Sequence, residues 1–225
     1  MKCCGIIPLS KSDIIKTWFI TAAKELIMEP KKVYIVISQT GSIVSKFIRI
    51  VTRDRYNHVS ISLDKELKDM YSFGRVHTYN AFIGGFVKES VEKGTFKRFV
   101  NNTVAMIIEI DVGAEKYEEI AKDLAWMYKH RGEYHYNYKG LFLAIFGKPR
   151  HKIHCFYCSE FLKNFFDKHG ISNIEPESKV IKPMHFLDIP GGKVIFEGRL
   201  RDYCSKKKPK YKMRKLESAD KKSEK

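Results

Sequence analysis

Two well-separated segments determine how this chain folds: YNHVSISL, from Tyr56 to Leu63, and CFYCSEFL, from Cys155 to Leu162. The first alternates polar and apolar residues from His58 onward, which predicts a strand. The second begins a run of apolar residues at helical spacing, which predicts an amphipathic helix with Cys158 in its first turn. A cysteine and a histidine that a fold brings together form an activated thiolate nucleophile.

The predicted positions of the two residues suit that chemistry. Free N–H groups at the start of a helix favour an anion, so Cys158 stands where a thiolate is stabilised, and the same groups can stabilise an oxyanion. His58 shares the polar face of its strand with Ser60 and Ser62, which suits a general base that faces a cleft. Each residue alone also fits an ordinary structural role. It is the pair that favours catalysis.

Cys155 and Cys158 also form a C-x-x-C motif, which leaves two alternatives open. A thioredoxin-like redox motif would follow an early strand of a βαβ unit, whereas this motif lies late in the chain. A zinc site could use His151, His154 and the two cysteines, because these are zinc ligands. Their spacing matches no tight zinc knuckle, and a second cysteine pair is missing. Both alternatives are therefore less favoured than the thiolate nucleophile.

The remaining pattern predicts an α+β fold with an antiparallel sheet, because strand neighbours are joined by turns of hairpin length. Strands are predicted at residues 33–38, 58–63, 70–74, 104–111 and 194–197. Helices are predicted at residues 12–28, 43–51, 114–129 and 158–168, with a helix or turn at 134–146. The glycines at positions 84, 85 and 94 indicate a loop-rich stretch between the third and fourth strands.

Composition limits the domain organisation. A chain of 225 residues that is 44% apolar can bury one sizeable core, so we expect an N-terminal amphipathic helix extension (1–32), one domain (33–203) and a basic tail (204–225). No apolar run is long enough to span a bilayer, and the N-terminus lacks the plan of a signal peptide. Five irregularly spaced cysteines argue against a disulfide framework. These features predict a cytoplasmic protein with free thiols.

The net charge of +16 widens the choice of partners. Residues 206–225 contain ten basic and three acidic residues, which is +7 of that total. Such a balance permits binding to nucleic acid, to an anionic membrane or to an anionic polymer, and it names none of them.

Several of these segments resemble the circularly permuted branch of the NlpC-type papain-like superfamily. The resemblance is carried by residues 33–38, the turn at Gly41-Ser42, the His58 strand, and the segments MYSFGR (70–75), FIGGF (82–86) and FYCSEF (156–161). In that branch the histidine strand precedes the cysteine helix, and His58 precedes Cys158 here. The similarity covers roughly residues 33–200.

The resemblance implies a papain-like fold, with a central antiparallel sheet packed against the helix of the catalytic cysteine. It also implies that Cys158 is the nucleophile and His58 the base. Family members commonly place a polar third residue, often Glu, His, Asn or Gln, on the strand after the histidine strand. Counting along that strand in this chain reaches Ser72, a weaker orienter of an imidazole.

The function so implied is that of a cysteine-dependent hydrolase (amidase or peptidase) or acyltransferase, which works through a thioester on an amide or ester and uses no cofactor or metal. Peptides, peptidoglycan fragments and lipids are the substrates that such relatives use. The basic tail adds an anionic polymer or membrane surface as a partner, and no protein partner is defined. The alternatives are a papain-like binding module with little or no turnover, which the serine at the third position favours, and a basic nucleic-acid or anionic-membrane binder.

Overall fold

The computed structural model describes residues 30–40, 54–77, 80–145, 148, 150–175 and 180–206. The strands are β1 (Lys32–Gln39), β2 (His58–Ser62), β3 (Met70–His77), β4 (Asn80–Glu89), β5 (Val104–Asp111), β6 (His135–Tyr136), β7 (Cys155–Phe156) and β8 (Gly192–Arg199). The α-helices are α1 (Gly94–Phe99), α2 (Ala114–Lys129), α3 (Tyr138–Ile145), α4 (Cys158–Lys168) and α5 (Leu200–Lys206). Short 3₁₀ helices occupy Arg131–Glu133 and Pro183–Phe186.

One eight-stranded sheet organises the described part of the chain, in the order β7-β6-β4-β3-β2-β1-β5-β8. β1 lies near its centre because six consecutive buried residues, from Val33 to Ser38, suit a strand covered on both faces. Neighbouring strands are antiparallel except β6 and β7, which pair in parallel through His135 with Cys155 and Tyr136 with Phe156. The sheet is antiparallel, as expected, except at this edge, where the parallel pair makes it mixed.

Helices cover both faces of the sheet. On one face, α2 and α4 contribute Ile120, Leu124, Phe161 and Phe166 to the larger apolar cluster. On the other face, α1 and α5 pack a smaller cluster, to which they contribute Phe96, Leu200 and Tyr203, against Tyr34, Val36 and Ile107 of β1 and β5. Burial on this scale is the main favourable term in folding.

The periodic segments of the sequence form the elements predicted for them. The strand at 104–111 and the helices at 114–129 and 158–168 agree with the structure at both ends, and β1 and β2 contain the predicted buried and alternating runs. The expected open polar face of β2 is wrong, because Ser60 and Ser62 are fully buried. Their face is covered by the smaller apolar cluster, so only His58, at the strand's first residue, reaches the margin of the sheet.

The prediction from the sequence is wrong for β4. Gly84 and Gly85 indicated a loop, yet they lie inside a ten-residue strand that pairs with β3 from Met70–Glu89 through Arg75–Gly84. A Cβ atom on Gly85 would lie 2.8 Å from the backbone oxygen of Tyr134, and one on Gly84 would lie 2.6 Å from the Tyr138 hydroxyl. The glycines therefore permit a close approach of backbones rather than a turn.

The predicted domain boundaries are only partly within the described residues. The amphipathic helix expected at 12–28 and the short helix expected at 43–51 lie outside them, as does the chain from residue 207. α5 extends to Lys206, past the boundary expected at 203, and Tyr203 belongs to the smaller apolar cluster. Among the described helices, none has the length and apolar character needed to cross a membrane.

Candidate active site

Cys158 begins α4 at the margin of the larger apolar cluster. Phe161, Leu162, Phe165 and Phe166 bury one face of this helix against the sheet, which fixes the helix and the cysteine at its first turn. The thiol is 5% exposed, and its sulfur lies 4.0 Å from the carbonyl oxygen of Asn57, the residue before β2. The N–H groups of a first helical turn have no acceptor within the helix, so they are free to face an anion beside Cys158.

The structure brings His58 to this thiol. The interaction between Cys158 and the imidazole is one of the causes that raise the pKa of His58. The other contacts of the ring are made by Nε2, which lies 3.1 Å from each carboxylate oxygen of Glu89 and 3.2 Å from the hydroxyl of Ser60.

Glu89 is the partner that orients the imidazole. It ends β4, and its side chain crosses to His58 on β2, while the Ser60 hydroxyl donates a hydrogen bond of 2.6 Å to Oε2. The side chains of His58 and Glu89 are only 16% and 15% exposed. A carboxylate on one ring nitrogen holds the ring in one orientation and stabilises the imidazolium that forms when the other nitrogen takes a proton.

The charges in this pair support each other. Burial alone would lower the pKa of His58, but the charge of Glu89, the interaction of the ring with Cys158 and its hydrogen bond to Glu89 outweigh burial and raise that pKa to about 10. Burial alone would raise the pKa of Glu89, but the charge and hydrogen bond of His58, the Ser60 hydroxyl and the charge of Arg75 lower it. At neutral pH the site therefore holds an imidazolium beside a carboxylate.

Ser72, the residue predicted for the third position, does not contact His58. Its hydroxyl is fully buried in the sheet and donates a 2.7 Å hydrogen bond to the carbonyl oxygen of Val59, with Phe73 oxygen a second acceptor at 3.5 Å. Gly74, not Ser72, is the β3 residue opposite His58, because β2 and β3 pair through Ile61–Tyr71 and Ser62–Met70. The orienting group comes instead from one strand further along the sheet.

A cleft of about 170 Å³ opens onto the thiol. Its walls are largely apolar, and an ion pair between Lys182 and Asp54 (3.1 Å) lies in its lining. The other residues that line it are Tyr56, Asn57, Tyr136, Leu141, Ala144, Tyr157, Cys158, Ser159, Val180, Ile181 and Pro183. A small apolar cleft beside a nucleophile can receive the acyl part of a substrate.

Tyr136 adds a hydrogen-bond donor to this cleft. Burial, and after it the charge of Cys158, raise the pKa of its phenol well above the ordinary value, so the hydroxyl keeps its proton. The hydroxyl has no hydrogen-bond partner within the described ranges, and Tyr136 stacks beside Tyr138 with ring centroids 4.6 Å apart. A protonated phenol at this position can donate to an oxygen that becomes negatively charged during attack by Cys158.

A larger groove of about 710 Å³ runs along β4 and contains neither Cys158 nor His58. Glu89, Phe96 and Arg131 are among its lining residues. Its size alone does not make it the reaction site. The smaller cleft is the candidate because Cys158 lines it.

The residues of the zinc alternative have other contacts. Nδ1 of His151 lies 2.5 Å from Oε1 of Glu160, a carboxylate that is 3% exposed and whose Oε2 accepts a hydrogen bond from the N–H of Tyr157. The His154 ring packs on Tyr134 with centroids 5.2 Å apart. Cys155 and Cys158 are separate thiols. Within the described ranges, no three His, Cys, Asp or Glu residues are grouped as a metal site requires.

Comparison of this chain with protein families, with curated proteins and with solved structures finds no match. The site is therefore interpreted from its own geometry.

Sequence reasoning missed two residues of this site, Glu89 and Tyr136. Glu89 was hidden because the glycines before it read as a loop, so no strand was expected to carry a carboxylate back to His58. No alternation marked the end of this strand, because Phe86 and Val87 are both apolar and Lys88 and Glu89 are both charged. Tyr136 lies in an aromatic stretch in which nothing local distinguishes one tyrosine from the next.

Proposed function

We propose that this protein is a cysteine hydrolase or acyltransferase of the papain-like type, in which Cys158 attacks an amide or ester carbonyl and forms a thioester. The observation that carries the proposal is the His58 imidazole, whose Nε2 lies 3.1 Å from both oxygens of the Glu89 carboxylate and which interacts with the Cys158 thiol. The permuted order, with the histidine strand before the cysteine helix, and the packing of α4 on the sheet support the same family resemblance.

In the first step His58 holds the proton of Cys158, and the sulfur attacks the carbonyl carbon. A carbon–sulfur bond forms while the carbonyl π electrons move to the oxygen. Tyr136 and the N–H groups of the first turn of α4 are placed to donate hydrogen bonds to that oxyanion. Glu89 keeps the imidazole oriented and stabilises its positive charge while the oxyanion exists.

In the second step the oxyanion collapses, and the bond from carbon to the leaving nitrogen or oxygen breaks. His58 gives its proton to that leaving group, which departs as an amine or an alcohol. Water or a second nucleophile then enters, loses its proton to His58 and breaks the carbon–sulfur bond. The acid or the transferred acyl product leaves, and the Cys158 thiolate and protonated His58 are regenerated. These steps require only residues that line the cleft, together with His58 and Glu89.

Glu89 bears on the alternative of an inactive binding module. That alternative was favoured by a serine at the third position, which would orient the imidazole weakly. A buried carboxylate on Nε2 is a strong orienter, so the reason for expecting lost turnover no longer applies. The expected cytoplasmic location and the partners of the basic tail remain predictions.

The test is acylation of the protein by p-nitrophenyl acetate. Stopped-flow absorbance monitors the release of p-nitrophenolate, and mass spectrometry of peptides locates the acetyl group. We expect a burst of one p-nitrophenolate per protein and an acetyl group on the peptide that contains Cys158. Cys158→Ala should abolish the burst, and His58→Ala should slow it by about 10²–10⁴-fold, the usual contribution of a general base. Glu89→Gln should give an intermediate rate.

The matched control is Ser72→Ala, which removes the hydroxyl that was predicted from the sequence but leaves the pair of His58 and Glu89 intact. Its burst rate should equal that of the wild type. An acetyl group found only on Cys155 or Cys204, or an unchanged burst in Cys158→Ala, would refute the proposed nucleophile. A larger loss in Ser72→Ala than in Glu89→Gln would refute the proposed orienting residue.

A further inference from the structure

Exposed apolar side chains lie on the stretch of chain that leads to Cys158. Phe142 is 61% exposed, Ile153 is 85% exposed and Tyr138 is 42% exposed. Scattered exposed apolar residues are ordinary, but a cluster of them marks a surface that contacts a partner or a membrane. Phe142 and Tyr138 are four residues apart on α3, so they share one side of that helix.

Hydrogen bonds hold the segment that carries Ile153 beside α3. The Asn137 side chain donates a 2.8 Å hydrogen bond to the carbonyl of Arg150, and the N–H of Lys148 donates one of 2.9 Å to the carbonyl of Leu143. Two further backbone bonds, His135 to His154 and Asn137 to Phe156, continue this contact. The exposed residues of α3, of residue 148 and of residues 150–153 thus form one surface, here named the α3 surface.

The α3 surface is basic. The sequence has no Asp or Glu from Tyr134 through Ser159, and within this stretch Lys139, Lys148, Arg150 and Lys152 are exposed. Glu160, the acidic residue that follows, is buried and contacts His151. This stretch of sequence therefore adds four exposed cations and no carboxylate to the exposed apolar side chains. Apolar side chains among lysines and arginines characterise surfaces that insert shallowly into an anionic bilayer.

The same helix also forms a wall of the catalytic cleft. Leu141 and Ala144 line the cleft beside Cys158, while Phe142, next to Leu141 in sequence, is exposed. A bilayer that contacts the outer side of α3 would therefore lie beside the entrance to the cleft. Lipid acyl groups would then reach the thiol without crossing bulk water.

We propose that the α3 surface docks on anionic lipid membranes, with Phe142 and Ile153 inserted and the four cations near the head groups. The substrate would then be a membrane lipid, and Cys158 would attack the carbonyl of its acyl ester or amide. This part of the proposal rests on the cysteine chemistry proposed above. Basic surfaces with aromatic residues also bind nucleic acid. Ile153 cannot stack on a base, however, and burial of the aliphatic Ile153 favours a bilayer.

The test is co-sedimentation of the full chain with vesicles of phosphatidylcholine, with and without phosphatidylserine, at low and high salt. All proteins carry Cys158→Ala, so turnover plays no part. High salt screens the attraction of the basic tail, and the binding that persists reports insertion. Phe142→Ser with Ile153→Ser should lower the vesicle partition coefficient at high salt by at least about tenfold, since each buried CH₂ group contributes about 0.8 kcal/mol and the loss of about two of them already corresponds to a factor of ten.

Matched controls lie on β8, away from the cleft. Val194→Ser removes a side chain that is 49% exposed and should leave vesicle binding unchanged. At low salt, Lys148→Glu with Lys152→Glu should weaken binding to phosphatidylserine vesicles by at least about fivefold, because each surface cation contributes about 1 kcal/mol. Lys193→Glu should have a smaller effect.

Equal partition of the Phe142/Ile153 variant and Val194→Ser would overturn the docking proposal. The docking proposal would also be overturned if Lys148→Glu with Lys152→Glu abolished binding to duplex DNA while binding to vesicles stayed at the wild-type level. The two proposals fail separately. If the protein binds vesicles but shows no acetylation burst at Cys158, the enzymatic proposal is refuted and the docking proposal stands. If it shows the burst but does not bind vesicles, the docking proposal is refuted and the enzymatic proposal stands.

Discussion

At the scale of single residues, the site consists of a thiol, an imidazole and a carboxylate that three different elements contribute. α4 supplies Cys158, β2 supplies His58 and β4 supplies Glu89. Ser60 adds a hydroxyl that donates to Oε2 of the carboxylate, while Nε2 of the imidazole lies 3.1 Å from both carboxylate oxygens. Each side chain thus has a defined partner before any substrate binds, and such preorganisation is what makes electrostatic catalysis effective.

Tyr136 permits a test that separates two kinds of chemistry at Cys158. Tyr136→Phe should slow acetylation by p-nitrophenyl acetate by up to about 10²-fold, because one oxyanion donor is lost. Alkylation by iodoacetamide forms no oxyanion, so its rate should not change. Stopped-flow absorbance measures the first reaction and peptide mass spectrometry the second.

Tyr134→Phe is the matched control, since Tyr134 is buried but does not line the cleft. It should leave both rates unchanged. Equal slowing of acetylation and alkylation in Tyr136→Phe would mean that Tyr136 maintains the shape of the site rather than stabilising an oxyanion.

At the scale of elements, β4 links the fold to the chemistry. The strand carries Glu89 at its end, and its glycines let the backbone of Tyr134 approach where β6 pairs through Gly85 and His135. β6 in turn carries Tyr136. Displacing β4 at Gly85 would therefore disturb both the residue that orients His58 and the residue that faces the oxyanion.

Gly85→Ala tests this role. The added Cβ would lie 2.8 Å from the Tyr134 carbonyl oxygen, a backbone atom that cannot move alone. We expect unfolding free energy to fall by about 1–3 kcal/mol, as for other overpacked sites, and the acetylation burst to slow in parallel. Urea unfolding and the burst assay measure the two effects.

Gly132→Ala is the control for that substitution, because no atom lies within 4 Å of the Cβ position at Gly132. It should change the unfolding free energy by less than about 0.5 kcal/mol, as surface substitutions usually do. A Gly85→Ala protein as stable and as reactive as Gly132→Ala would show that close approach of β4 and Tyr134 is not required.

At the scale of the whole molecule, the buried pair of His58 and Glu89 links stability to pH. The pKa of His58 rises on folding from 6.5 to about 10, so its contribution is complete below pH 6.5 and is lost as pH rises toward 10. The pKa of Glu89 falls on folding from 4.5, so its contribution is complete above pH 4.5 and is lost at lower pH. Together they stabilise the fold most between pH 4.5 and 6.5.

Comparison with the variant His58→Gln/Glu89→Gln isolates this effect, because all other titrating groups are shared. The difference in unfolding free energy between wild type and variant should be largest near pH 5.5 and should decrease steadily through pH 8 and 10. Urea unfolding at the three values measures it. A difference that stays constant, or that grows with pH, would contradict a charged pair in the folded protein.

Much of the fold follows from patterns between residues close in sequence. Alternation in β2 and the 3.6-residue period in α2 and α4 depend on neighbours two to four positions apart, and these elements agree with the prediction. The buried run of β1 is local in the same sense. The same patterns placed Cys158 at the start of a helix and His58 at the start of a strand. Both residues of the proposed thiolate–imidazole pair could therefore be predicted from the sequence alone.

The third residue, Glu89, could not be predicted in that way, because its contact with His58 depends on which strands become neighbours in the sheet. Glu89 is 31 positions from His58 and reaches it only when β4 pairs with β3 and β3 with β2. Ser72, which is closer in sequence, turns to the Val59 carbonyl because the register of β2 and β3 places Gly74 opposite His58. Periodicity within a strand specifies which side chains share a face. Strand order and register, which the packing of the whole chain decides, determine which of them meet.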